Sequence, residues 1–103
     1  MKDLTGKVAL VTGGSRGIGF HIAACYAAEG ADVVIAATNE AKLNEAREQL
    51  AVHGTRIGIE AADISDRESC FAMVERTASR MGRLDILVNC AAAYIPKAFT
   101  DYT

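Results

Sequence analysis

No apolar run in the 103-residue sequence reaches the roughly 18 residues of a membrane-spanning helix. The amino terminus, MKDLTGKVAL, carries an acid at Asp3 and has no apolar stretch long enough for a signal peptide. Together these absences predict a soluble, cytoplasmic domain. An excess of one charge is missing too. Eleven Lys and Arg against 13 Asp and Glu leave a net charge of −2, which excludes general attraction to nucleic acid or to an anionic membrane surface. Cysteine is sparse: Cys25, Cys70 and Cys90 form no C-x-x-C pair, and their number is odd. Each lies in an apolar context, so buried free thiols in a reducing compartment are expected. The two histidines, His21 and His53, complete no metal-ligand set with them. A chain of this length builds one core and one domain, not two.

What is present alternates in a regular way. Lys7 to Thr12 is a buried apolar run bounded by Gly6 and Gly13 and reads as a strand. Gly17 to Glu29 reads as a helix with Ile22, Cys25 and Tyr26 on one face, stopped by Gly30. Asp32 to Ala37 is a second, β-branched strand. Asn39 is a good helix N-cap, and Leu43, Ala46 and Leu50 form one stripe behind it, up to His53-Gly54. Thr55 to Ala61 is a weaker third strand. Ser65 and Glu68 spell a capping box for a helix lined by Phe71, Val74, Ala78 and Met81 and closed by Gly82. Leu84 to Cys90 is a fourth strand. The stretch after it contains the only proline, Pro96, and shows no further clear element.

Strands alternating with helices predict a parallel sheet covered on both faces. Right-handed crossovers favour the doubly wound, Rossmann-like α/β order 3-2-1-4, with ligands beyond the carboxyl ends of the strands at the switch point between strands one and four. The glycine cluster Gly13, Gly14, Gly17 and Gly19 falls at that point. Glycines there let the backbone turn sharply and approach a ligand, and a helix amino terminus favours an anion. A tight turn that holds nothing is the plainer alternative. The spacing is neither G-x-G-x-x-G nor a P-loop, because no G-K-[ST] follows.

The stretch Thr12-Gly13-Gly14-Ser15-Arg16-Gly17-Ile18-Gly19 resembles the T-G-x-x-x-G-x-G of the short-chain dehydrogenase/reductase family. Asp63-Ile64 and Asp85-Ile86-Leu87-Val88-Asn89 also match the family in order and spacing, the latter its D-I-L-V-N. Asn89-Cys90-Ala91-Ala92 departs from the N-N-A-G that follows, and Ala92 adds a methyl group where the backbone approaches the cofactor. The resemblance covers nearly the whole chain, read as residues 1–103 of an NAD(P)-binding domain, its amino-terminal portion only. It implies cofactor contacts from Gly13, Ser15, Arg16, Gly17, Ile18 and Gly19, from Thr38 and Asn39, from Asp63 and Ile64 at the adenine, and from Asn89 and Ala91. No metal is implied.

An acid at the end of strand two accepts hydrogen bonds from a ribose and repels a 2′-phosphate. That end reads Ala36-Ala37-Thr38-Asn39, with no acid before Glu40. Arg16 supplies a cation, which in the family goes with NADP. NADP(H) is therefore the expected cofactor, with NAD(H) as the second choice. The family's proton donor is a tyrosine in Y-x-x-x-K, helped by an upstream serine. Tyr26 precedes Gly30 by four, Tyr102 precedes only Thr103, and Tyr94 is followed three residues on by Lys97, across Pro96. No catalytic residue is assigned within this chain. Family members are well over twice as long, so the expectation is a fragment of a longer reductase acting on a small-molecule carbonyl or alcohol. Its fourth strand is then an exposed apolar edge, from which weak stability and self-association are expected. Two readings stand beside this one: a non-catalytic dinucleotide-binding or interaction module, and a methyltransferase, which would want an acid where Thr38-Asn39 stand.

Overall fold

The computed structural model describes residues 4–13, 17–63 and 66–89. In chain order the elements are β1 (Val8–Thr12), α1 (Gly17–Ala28), β2 (Asp32–Ala37), α2 (Glu40–Leu50) with a 3-10 turn at Ala51–His53, β3 (Ile57–Ala61), α3 (Arg67–Met81) and β4 (Ile86–Asn89). All pairings are parallel, and the order is β3-β2-β1-β4, as the alternation predicts.

β1 is buried along its full length because it has a strand on each side and helices on both faces. Its alternate residues divide between two cores. Val11 joins Val33 and Ile35 beneath α1 and α2, where Ala23, Ala27, Leu43, Ala46 and Leu50 complete the larger core. Leu10 joins Val34, Ala36 and Met73 of α3 in a smaller one on the opposite face.

α2 follows the sequence reading closely. Asn39 Oδ1 accepts from Lys42 N at 3.0 Å, and Leu43, Ala46 and Leu50 are buried. Gly54 ends the turn behind it at φ +83°, a left-handed conformation that glycine adopts without strain. Other expectations are corrected. The inner face of α1 is Gly19, Ala23 and Ala27, whereas Ile22 and Tyr26 are half-buried and Cys25 is exposed. Small side chains at intervals of four let α1 lie close on β1 and β2, and the bulkier residues flank that line. Cys70 is only half-buried, and Cys90 lies outside the described residues.

The N-cap of α3 is Asp66, which accepts from Glu68 N at 3.2 Å and from Ser69 Oγ at 2.9 Å. Ser65, the expected cap, lies outside the described residues. Met73 and Thr77 are the buried residues of α3, flanked by the half-buried Val74 and Met81. Phe71 is 57% exposed, with the Arg67 guanidinium 5.7 Å from its ring centroid. The cation–π contact of this exposed pair is worth about 0.5–1 kcal/mol. Gly82 closes the helix at φ +88°, as expected.

The amino end of the sheet is tied by carboxylates. Asp32 accepts from Arg56 N at 2.9 Å and Arg56 Nε at 3.0 Å. Asp85 accepts from Val8 N at 2.9 Å and from Arg83 through both oxygens, at 2.8 and 2.9 Å. The Arg83 hydrogen bond and then the Val8 N–H hold the Asp85 carboxyl below its ordinary value, and Asp85 raises Arg83 in turn.

Three substitutions test this packing. The Thr77 hydroxyl is buried with no hydrogen-bond partner among the described residues. Thr77→Val is expected to stabilise the fold by about 1 kcal/mol, read as a raised Tm, because it removes an unpaired polar group at constant volume. Ala23→Leu is expected to cost about 1–3 kcal/mol by forcing α1 off the sheet, whereas Cys25→Ser should lie within about 0.5 kcal/mol of the parent chain. Equal effects at the two positions would refute the revised inner face of α1.

Candidate functional site

Parallel register decides which residues share an end of the sheet. Thr12 pairs with Ala36 on one side and Asn89 on the other, and Ala37 pairs with Ala61. The residues that follow, Gly13, Thr38-Asn39 and Asp63, therefore collect with Asn89 at the carboxyl end. Gly13 N donates to Ala36 O at 2.6 Å while Gly13 itself turns to φ +71°. The chain thus leaves β1 across the end of β2. Gly17 opens α1 at φ +65°, and a Cβ there would meet nothing within 4 Å. Glycine is used at this position for its backbone angle, in open space.

The first turn of α1, Gly17-Ile18-Gly19-Phe20, carries no acid. Its backbone N–H groups and the positive end of its dipole face the same end of the sheet. The other two helices differ: Glu40 lies in the first turn of α2 and Glu68 in that of α3, each behind its own side-chain cap. Gly19 is buried and Ile18 is 75% exposed, an apolar side chain at the rim. This donor set suits a phosphate or pyrophosphate, which needs close backbone N–H groups and no carboxylate beside them.

Thr38 and Asn39 are exposed at the end of β2. The acid of β2, Asp32, starts the strand and is paired with Arg56. Five residues at the usual rise put it roughly 16 Å from the carboxyl end, too far to act on a ligand there. Asp63 is exposed after β3, and its carbonyl accepts from Asp66 N at 3.2 Å. Nearby, Cys70 titrates above its ordinary value, through burial first and then the charges of Asp66 and Asp63. Asp85 and Asn89, read together as one motif, occupy opposite ends of β4, and only Asn89 reaches this site.

The structure therefore brings Gly13, Gly17, Ile18, Gly19, Thr38, Asn39, Asp63 and Asn89 to one end. Ser15, Arg16, Ile64 and Ala91 lie outside the described residues. Thr12, which opens the motif in the sequence, was given no contact of its own there. Thr12, 2% exposed, directs its Oγ1 to Val88 O at 3.4 Å and so links the glycine turn to β4. Its structural role was not legible there, because the partner, Val88, lies 76 residues away. Among the described residues no group of His, Cys, Asp and Glu could hold a metal ion.

The same arrangement recurs in known proteins. The family model described as short chain dehydrogenase matches residues 7–103. General stress protein 39 of Bacillus subtilis is 41% identical over 95 residues, which are 91% of this chain and 33% of that protein. The crystal structure of L-sorbose reductase from Gluconobacter frateurii, complexed with NADPH and L-sorbose, superposes with a TM-score of 0.84 at 41% identity, over 89% of this chain and 35% of that one. NAD+-bound xylitol dehydrogenase gives a TM-score of 0.81 at 28% identity, over 84% of this chain and 33% of that one. The chain thus spans about a third of the length of these relatives. Because the likeness runs through sheet and helices alike, and not through the glycine turn alone, the chain belongs to the short chain dehydrogenase family.

Proposed function

We propose that the carboxyl end of this sheet binds the adenosine and pyrophosphate portion of a nicotinamide dinucleotide, with NADP(H) preferred over NAD(H). We propose further that the whole protein interconverts a carbonyl and an alcohol on a small-molecule substrate. One observation carries the reading. The in-register parallel strands gather Gly13, Thr38, Asn39, Asp63 and Asn89 beside the acid-free first turn of α1.

The α1 N–H groups, with Gly13, Ser15, Gly17, Ile18 and Gly19, hold the pyrophosphate. Asp63 and Ile64 border the adenine, and Asn89 and Ala91 line the side toward β4. The cofactor, when bound, supplies the hydride; the residues of this chain bind and orient it. NADP(H) is favoured because the end of β2 offers neutral Thr38 and Asn39, and Arg16 adds a cation able to pair with a 2′-phosphate. The two solved relatives hold NADPH and NAD+ respectively, so the preference rests on these residues of the chain itself. The reading places the protein in the cytoplasm. It also allows copies to associate along β4, where Leu87 is 52% exposed.

Arg16→Ala is expected to weaken NADPH binding roughly tenfold, the loss of a charge-assisted hydrogen bond, and to change NADH binding by less than about twofold. Calorimetric dissociation constants on both forms check this, and an unchanged NADPH/NADH ratio would overturn the preference. The 103-residue chain, given NADPH and a panel of carbonyl compounds, is expected to bind cofactor without turnover. Measurable NADPH consumption would mean that a proton donor is present among its residues.

A further inference from the structure

β3 carries an ionised side chain where a sheet residue is normally apolar. Glu60 is 6% exposed and lies on the face covered by α3. Both of its oxygens are occupied. Oε1 accepts from Arg76 Nε at 3.0 Å and Nη2 at 2.8 Å, and Oε2 accepts from Arg80 Nη1 at 2.8 Å. The same Arg80 nitrogen also donates to Ile59 O at 3.2 Å. Gly58, two residues earlier on the same face, makes room: a Cβ there would stand 2.9 Å from Arg80 Nη2. Two positions on β3 and two on α3, one helical turn apart, thus form a single clasp. A carboxylate taken out of water needs such a full set of partners.

The clasp matters because the apolar seat of α3 is small: Met73 with half-buried Val74 and Met81, supplemented by Arg56 Nη2 donating to Met81 O at 3.3 Å. The buried residues of the helix are Met73 and Thr77, and Thr77 brings an unpartnered hydroxyl. The smaller core it covers contains Leu10, Val34 and Ala36. From the clasp, backbone hydrogen bonds lead to the site. The amino end of α3 is fixed to Asp63 by Asp66 N donating to Asp63 O, and Ala62 N donates to Ala37 O at 2.9 Å, at the end of β2. Ala62 is thereby tied to β2, and Asp63 to the first residue before α3.

We propose that Glu60, with Arg76 and Arg80, is a positioning element for the adenine side of the cofactor site. It sets α3 on the sheet and through α3 sets Asp63. Glu60 does not touch the cofactor. The proposal rests on the dinucleotide reading, and its effect should fall on the adenosine half alone.

Glu60→Gln keeps the shape and removes the charge. In the 103-residue chain, it is expected to weaken NADPH and 2′,5′-ADP about three- to tenfold, the usual range for coupling through a packed element. Reduced nicotinamide mononucleotide, which lacks the adenosine half, should bind as before. Amide hydrogen exchange should rise in α3 and not in α1. An equal loss for all three ligands would reduce the clasp to general stability, and no loss for any would remove it; either overturns the proposal. Asp63→Ala in the parent chain separates the two readings. If it leaves NADPH and 2′,5′-ADP binding unchanged, the placement of the adenine fails. If it weakens them while Glu60→Gln does not, only the clasp fails. Arg80→Ala, at a half-exposed position, carries the same test with a smaller selective loss if Glu60→Gln does not fold.

Discussion

The parallel pairing of β1 with a neighbour on each side is the constraint on which the rest of this structure depends. Because β2 and β4 run the same way as β1, every strand ends at the same edge, and every connection leaves from it. One register fixes the positions of residues far apart in sequence, so that Gly13, Asn39, Asp63 and Asn89 become neighbours of a single edge. A slip of one residue would turn the β1 side chains to the wrong cores. Val11 and Leu10 face different helices and differ in what they pack against, so burial on both sides enforces the register.

The two ends of the sheet are built for opposite tasks. At the amino end, Asp32 and Asp85 accept hydrogen bonds from backbone N–H groups of neighbouring segments, and Arg56 and Arg83 neutralise them. Exposed ion pairs of this kind add little stability by Coulomb attraction. Their larger effect is to satisfy N–H groups at the start of the ladders, where no strand partner is left. At the carboxyl end the N–H groups opening α1 face a first turn without acid, whereas α2 and α3 carry their own caps. On the proposed function, that acid-free first turn is where the anionic pyrophosphate would sit. At the amino end the acids tie backbone segments together; at the carboxyl end they stand at α2, α3 and Asp63, and the first turn of α1 has none.

How much of this could be read from the sequence depended on contrast within each element. α2 is polar apart from one stripe, so Leu43, Ala46 and Leu50 announce its inner face. α1 is apolar around most of its circumference, and periodicity there gives no direction. Close approach to the sheet decided instead, and it selected the smallest residues over Ile22 and Tyr26. In α3 the reading of Phe71 has the same origin: a large apolar residue was counted as core, but the buried residues are Met73 and Thr77, and Phe71 lies outside beside Arg67. Ser65 and Asp66 are both good caps, adjacent in sequence, and only geometry chooses between them. The strand order and the glycine turn were legible because they rest on element order and on backbone angles that few residues adopt. The Glu60 clasp was not, because its partners lie 16 and 20 residues away, beyond any local pattern.

The two outer strands among the described residues treat their edges differently, and the difference follows from their inner faces. β3 points Gly58 and Glu60 toward α3, and the arginines that cover them lie over that flank of the sheet. An inward-pointing charge is one of the devices by which proteins discourage a foreign strand from adding to an edge. A strand joining β3 would have to fit its own side chains beside a carboxylate whose oxygens are already occupied. β4 has no such charge within its span. Ile86 and Val88 are half-buried, Leu87 is exposed, and among the described residues β4 pairs with β1 alone. Within the described residues an inward charge guards the β3 edge and none stands within β4, and the difference comes from one buried glutamate and the glycine that makes room for its partners.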